Sequence, residues 1–127
     1  MATSIIKLSK PEIIDTGVNY MFSSANTWEY TGLSLTIPAN SEVSFHFANV
    51  FANVPPTGIA ITNSATNAPS TDSNNQWKLY AYSDTAPRVY VSGIIPTQTT
   101  MYVWAKASSI DGKNNIHVWG TIRTYNS

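Results

Sequence analysis

The chain has 127 residues, no cysteine, and seven Lys/Arg against seven Asp/Glu, so its formal net charge is zero and only 11% of it is charged. That length suits one domain with a real core. It leaves too few cations to track a phosphate backbone, offers no apolar run near the roughly 20 residues of a membrane span, and rules out disulfides, zinc thiolates and thiol catalysis. Ser, Thr and Asn supply 42 residues, a composition that favours turns and exposed strand positions over helix interiors.

No stretch sustains a helical period with caps; short runs of period two recur instead, separated by turn residues. In chain order, strands are expected at 4–8, 12–15, 18–22, 28–37, 42–51, 58–62, 76–82, 88–94, 99–107 and 115–124. Pro11, Gly17, Pro38, Pro55-Pro56, Pro69, Pro87 and Pro96 fall between them, where a missing N–H or a flexible backbone does least harm. The polar run from Asn63 to Asn75 reads as a long loop, because neither half of the chain could bury a core alone. Many short strands at close spacing predict an all-β fold: one antiparallel β-sandwich of jelly-roll type spanning residues 1–127.

Alternation assigns the faces. Leu33, Leu35 and Ile37 share one parity, as do Val43, Phe45 and Phe47; Trp77, Leu79 and Ala81; Val89 and Val91; Met101, Val103 and Ala105; and Ile116, Val118, Gly120 and Ile122. These sets are expected to form the inner faces of two sheets. The last two strands read as a hairpin, joined by a loop with Asp111-Gly112 at its turn.

The opposite parity carries Tyr80, Tyr82, Tyr90, Tyr102, Trp104, His117, Trp119, Arg123 and Tyr125, with Lys78, Arg88 and Lys106 among them. The wet face of a half-exposed sheet normally carries Thr, Lys and Glu instead. Such a face is covered by the chain's own loops, covered by another subunit, or used as a stacking platform for sugars. Tyr80, Tyr82, Tyr102, Trp104, His117, Trp119, Arg123 and Tyr125 are taken as the candidate oligomer interface, because Tyr, Trp and Arg dominate interface cores.

Catalytic chemistry has little to stand on. His46 and His117 are the only imidazoles and belong to no spaced ligand set, so no metal or other cofactor is expected. There is no nucleophile elbow, phosphate loop or dinucleotide fingerprint. Glu29 and Glu42 come up as a carboxylate pair only because acids are few. The run from Asp111 to Asn115 lacks the spaced acids of a calcium loop. A binding or structural module is the expectation, not an enzyme. Its site is expected in loops at one end of the sandwich: the long loop, with Asp72, Asn74 and Asn75 as candidate glycan contacts, or as second candidate the later loop, with Asp111, Lys113 and Asn114.

Four phrases carry a resemblance: Leu33-Ser-Leu-Thr-Ile-Pro-Ala39, Pro56-Thr-Gly-Ile-Ala-Ile-Thr-Asn-Ser64, Met101-Tyr-Val-Trp-Ala-Lys106 and Asn115-Ile-His-Val-Trp-Gly120. In order and spacing they resemble C-terminal modules of tail and minor structural proteins from phages of Gram-positive gut bacteria, over about residues 28–123. The resemblance implies a β-sandwich head on a virion appendage, commonly trimeric. Where such proteins carry a long shaft, only residues 1–27 precede the resembling part, so the chain is either a trimmed domain or one whose residues 1–27 are an N-terminal docking segment. Implied partners are other copies of itself, other virion proteins and a host-surface glycan, with no nucleic acid and no membrane insertion. It implies location on the virion after synthesis in the host cytoplasm; residues 1–10 lack the apolar core of a signal peptide. A capsid-surface or head-decoration protein and a bacterial carbohydrate-binding module are the alternatives.

Overall fold

A computed structural model describes residues 7–8, 10–50, 56–69, 79–83, 86–110 and 113–126. The strands are β1 (Lys7–Leu8), β2 (Glu12–Tyr20), β3 (Glu29–Ile37), β4 (Ser41–Asn49), β5 (Pro56–Thr62), β6 (Leu79–Ser83), β7 (Arg88–Ile95), β8 (Thr99–Ala107) and β9 (Asn114–Asn126). No helix occurs among the described residues.

The pairings nest. β2 pairs β9, β3 pairs β8, β4 pairs β7 and β5 pairs β6, all antiparallel, as in one long hairpin with its tip between β5 and β6. Two further pairings, β4 with β9 and β5 with β8, roll that hairpin into two sheets. Sheet I runs β2-β9-β4-β7, with β1 extending the β2 edge along the end of β9; sheet II runs β3-β8-β5-β6. This is the antiparallel jelly roll that the spacing of the strands predicts.

The inner faces follow the alternation. Val43, Phe45, Phe47, Val89, Val91, Ile116, Val118 and Ile122 of sheet I meet Leu33, Ile37, Ile59, Ile61, Met101, Val103 and Ala105 of sheet II in one core. Gly120 keeps that parity for a steric reason. It faces Phe45, and a Cβ there would lie 2.0 Å from the Ser44 carbonyl oxygen.

Two expectations are corrected. β8 and β9 are not a hairpin: they belong to different sheets, and their loop crosses the sandwich. A jelly roll sends most connections between sheets, which alternation within a strand does not reveal. Gly17 does not divide two strands but sits within β2, opposite His117, whose Nδ1 lies 2.5 Å from where a Cβ would be. The glycine is there so that the imidazole can lie down on β2. Within the segment expected to dock, Glu12–Tyr20 is an edge strand of sheet I.

In β3, the five residues from Tyr30 to Ser34 span what the three from Trp104 to Tyr102 span on β8. Gly32 takes φ 86° in this bulge, and the Thr31 hydroxyl donates to the Val103 carbonyl at 2.7 Å. Two extra residues preserve the alternation, so Tyr30 and Ser34 both face outward.

Candidate functional site

Because β8 and β9 lie in different sheets, the outward aromatics form two surfaces on opposite sides of the molecule. On sheet II, Trp28 and Tyr30 lead into and along β3, Tyr102, Trp104 and Lys106 lie on β8, and Tyr82 lies on β6. The Trp28 and Tyr82 rings meet at 5.5 Å, Tyr30 meets Tyr102 at 5.7 Å and Trp104 at 5.9 Å, and the Lys106 ammonium sits 4.9 Å from the Trp28 ring. Gly58 and Ala60 of β5 pair with Lys106 and Trp104, leaving a low strip that the large rings bridge. The start of the β5–β6 loop folds back over part of this face. Ser64 accepts a hydrogen bond from the Trp104 indole at 2.8 Å, which leaves Trp104 only 5% exposed. The other rings stay half-buried.

The sheet I face is polar. Tyr90, His46 and Trp119 lie side by side across β7, β4 and β9. Tyr90 stacks on His46 at 4.6 Å, His46 lies 5.3 Å from Trp119, and Trp119 lies 4.6 Å from His117. His117 reaches Asp15 through Nε2 at 2.5 Å and Asn115 through Nδ1 at 3.2 Å, and the Asn115 amide donates to Asn19. Further along, Tyr125 donates to Glu42 at 2.8 Å, and that carboxylate raises the phenol's pKa above its ordinary value.

The ends of β2, β4, β6 and β8 and the starts of β3, β5, β7 and β9 lie at one end of the sandwich. Two grooves lie there against sheet I. One, of about 450 Å³, is lined by Asn19, Tyr20, Met21, Val50, Lys113, Asn114 and Asn115. The other, of about 310 Å³, lies on the outer face between His46, Asn49, Arg88 and Trp119, with Ala48 as its floor. Val50 borders both, and Asn114 of the first and Asn49 of the second are hydrogen-bonded to each other at 3.0 Å. Beside the larger groove, Glu29 ties down the β2–β3 loop. Its carboxylate accepts hydrogen bonds from Tyr20, from the Ser23 amide and hydroxyl, and from the Ser24 amide. Partial burial would raise the Glu29 pKa, but these donors outweigh it and lower the pKa from its ordinary value. Burial, reinforced by Glu29, pushes the Tyr20 phenol up to about 12.

Asp72, Asn74, Asn75 and Asp111 lie outside the described residues. Lys113 is exposed and lines the larger groove. Asn114 is not a loop residue; it opens β9, is 4% exposed, and spends its oxygen on Asn49. The two loops, alternative candidates for the site, leave opposite ends of the sandwich. Tyr80, expected outside, packs against the core, where the β5–β6 register shift turns it, and burial raises its pKa. Tyr82, Tyr102 and Trp104 share the sheet II face, whereas His117, Trp119, Arg123 and Tyr125 lie on the strand of sheet I that pairs with both β2 and β4. Trp28 and Tyr30 were missed, although their shared parity with Ser34 and Thr36 was the signal. Glu29 and Glu42 lie in different sheets and each holds a tyrosine. Among the described residues no group of three His, Asp or Glu could hold a metal ion, and no helix is long and apolar enough to cross a membrane.

Compared with known protein families and with curated protein sequences, the chain matches none.

Proposed function

We propose that the chain is a non-catalytic assembly and attachment module of a phage virion appendage. It forms a homo-oligomer, a trimer by the resemblance of its sequence phrases, and offers its loop end to a host-surface glycan. The observation that carries this reading is the half-buried ring face of sheet II. Trp28, Tyr30, Tyr82 and Tyr102 pack on one another outside the core, where a soluble monomer gains little from them. A second copy would bury them as interface cores do, with the hydroxyls and Lys106 as polar handles. Zero net charge means that copies do not repel one another. Placing assembly on sheet II leaves the grooves of sheet I facing outward. Jelly rolls serve both as virion proteins and as lectins, so the fold is compatible with this reading without selecting it.

Adsorption of the purified chain to host cells tests the attachment half. Specific adsorption, weakened by Lys113→Ala combined with Met21→Ser at the rim of the larger groove, is the expected result. Both side chains are exposed, so the fold tolerates the change. Specific adsorption that the double variant leaves intact would remove this end of the sandwich as the attachment site. A chain that does not adsorb would favour a purely structural, head-decoration role.

A further inference from the structure

We propose that the groove between His46, Asn49, Arg88 and Trp119 binds a small hydroxylated anion, either a sugar acid or a polyol phosphate. The inference rests on the attachment reading and names the chemistry recognised. The groove, about 310 Å³, is at the lower end of the size of small-molecule sites, which is about 300–1,000 Å³. Two of its polar atoms, His46 Nε2 and Asn49 Oδ1, are buried without a hydrogen-bond partner. Folded proteins rarely leave one such atom unpaired, and two on one groove mark a place where a partner completes the structure.

Neither atom can be satisfied from within. Asn49 is only 7% exposed and its amide nitrogen is committed to Asn114, so exchanging the two ends of the amide merely transfers the deficit to nitrogen. The His46 ring is held between Tyr90 and Trp119 and cannot turn toward another group. Arg88 adds a cation at the rim with no carboxylate partner among the described residues. Together the set asks for hydroxyl donors at Asn49 Oδ1, a hydroxyl at His46 Nε2, an anion at Arg88 and a saturated C–H face against Trp119. A neutral sugar leaves Arg88 unused, and a bare inorganic anion leaves Asn49 unsatisfied. Both orphaned atoms are closed off in the free chain, so entry displaces a side chain. Tyr90, 65% exposed on the edge strand and lying on His46, is that side chain.

The test is an NMR titration of the isotope-labelled chain with glucuronate, glycerol 3-phosphate and glucose, followed at the Trp119 indole, the His46 ring and the Asn49 amide. One of the two anions produces saturable shifts at all three, and which one identifies carboxylate or phosphate as the source. Glucose binds at least about tenfold more weakly, and Arg88→Gln, an exposed position, weakens the anion by a similar factor. No saturable shift with either anion overturns the proposal. So do equal shifts with glucose, or shifts that Arg88→Gln leaves unchanged. The titration needs no cells, so its failure is distinct from a failure of adsorption, which tests attachment itself.

Discussion

The outer faces of the two sheets are built from similar residues to opposite ends. On sheet II the rings pack on one another, Tyr30 edge to face on Tyr102 and tilted against Trp104, beside the low strip of Gly58 and Ala60, and the Trp104 indole donates to the Ser64 carbonyl. On sheet I the rings alternate with imidazoles, and each end of the row is polar: Asp15 beyond His117 and the Tyr90 hydroxyl at the other edge. An apolar face with few directional bonds gains from being covered by a matching surface. A polar row with unpartnered atoms gains from a ligand that completes its hydrogen bonds. The same residue types thus give one face suited to the assembly we propose and one suited to the recognition we propose, according to what lies between the rings.

The comparison breaks most sharply where sheet I allows no side chain at all. Gly120→Ala places a Cβ 2.0 Å from the Ser44 carbonyl oxygen, so β4 and β9 must part. The loss should exceed about 4 kcal/mol, and circular dichroism should show little folded protein at room temperature. A variant that melts like the wild type would mean that the β4–β9 register is wrong. Next come the inner faces. Phe45→Ala in sheet I and Val103→Ala in sheet II should each cost roughly 2–5 kcal/mol in denaturant melts. Thr121→Ala, on the outer face of sheet I, should change stability by less than about 0.5 kcal/mol. Equal costs at Thr121 and Val103 would invert the assignment of faces.

Smaller again is the effect of pH at the β2–β3 loop. The Glu29 pKa is lowered on folding, so its contribution is present above the ordinary glutamate value and is lost as pH falls through the folded one. The Tyr20 pKa is raised, so its contribution is complete below the ordinary tyrosine value near 10 and is lost as pH climbs toward about 12. Thermal melts across pH should show both limbs, with Glu29→Gln flattening the acid limb and Tyr20→Phe the alkaline one. An unchanged acid limb in Glu29→Gln would assign it to other carboxylates.

Period-two alternation made nearly all of the core legible, because each strand carries its inward set in its own sequence. Met101, Val103 and Ala105 are fully buried, as are Ile116 and Val118. What alternation could not carry was which strand lies beside which. β8 and β9 look like a hairpin in sequence, yet each finds its neighbours far along the chain: β8 pairs β3 and β5, and β9 pairs β2 and β4. One continuous aromatic surface was expected, and two exist. Gly17 is the complementary case. Glycine within a run reads as a break, whereas here it makes room for the His117 imidazole and the Ile116 carbonyl oxygen lying across the strand. The groove between His46 and Arg88 was hidden for the same reason, since His46, Arg88 and Trp119 meet only through the β4–β7 and β4–β9 pairings.

The division of labour between the two faces is tested most directly by light scattering after size exclusion, on the wild type, Trp28→Glu and Trp119→Glu side by side. The wild type should run at about three times the 13.9 kDa chain mass. Trp28→Glu, which puts an unpaired charge into the ring face of sheet II, should run as a monomer, and Trp119→Glu should keep the wild-type mass. A wild type that is monomeric at micromolar concentration, or an assembly that dissociates with Trp119→Glu and survives Trp28→Glu, would contradict the account.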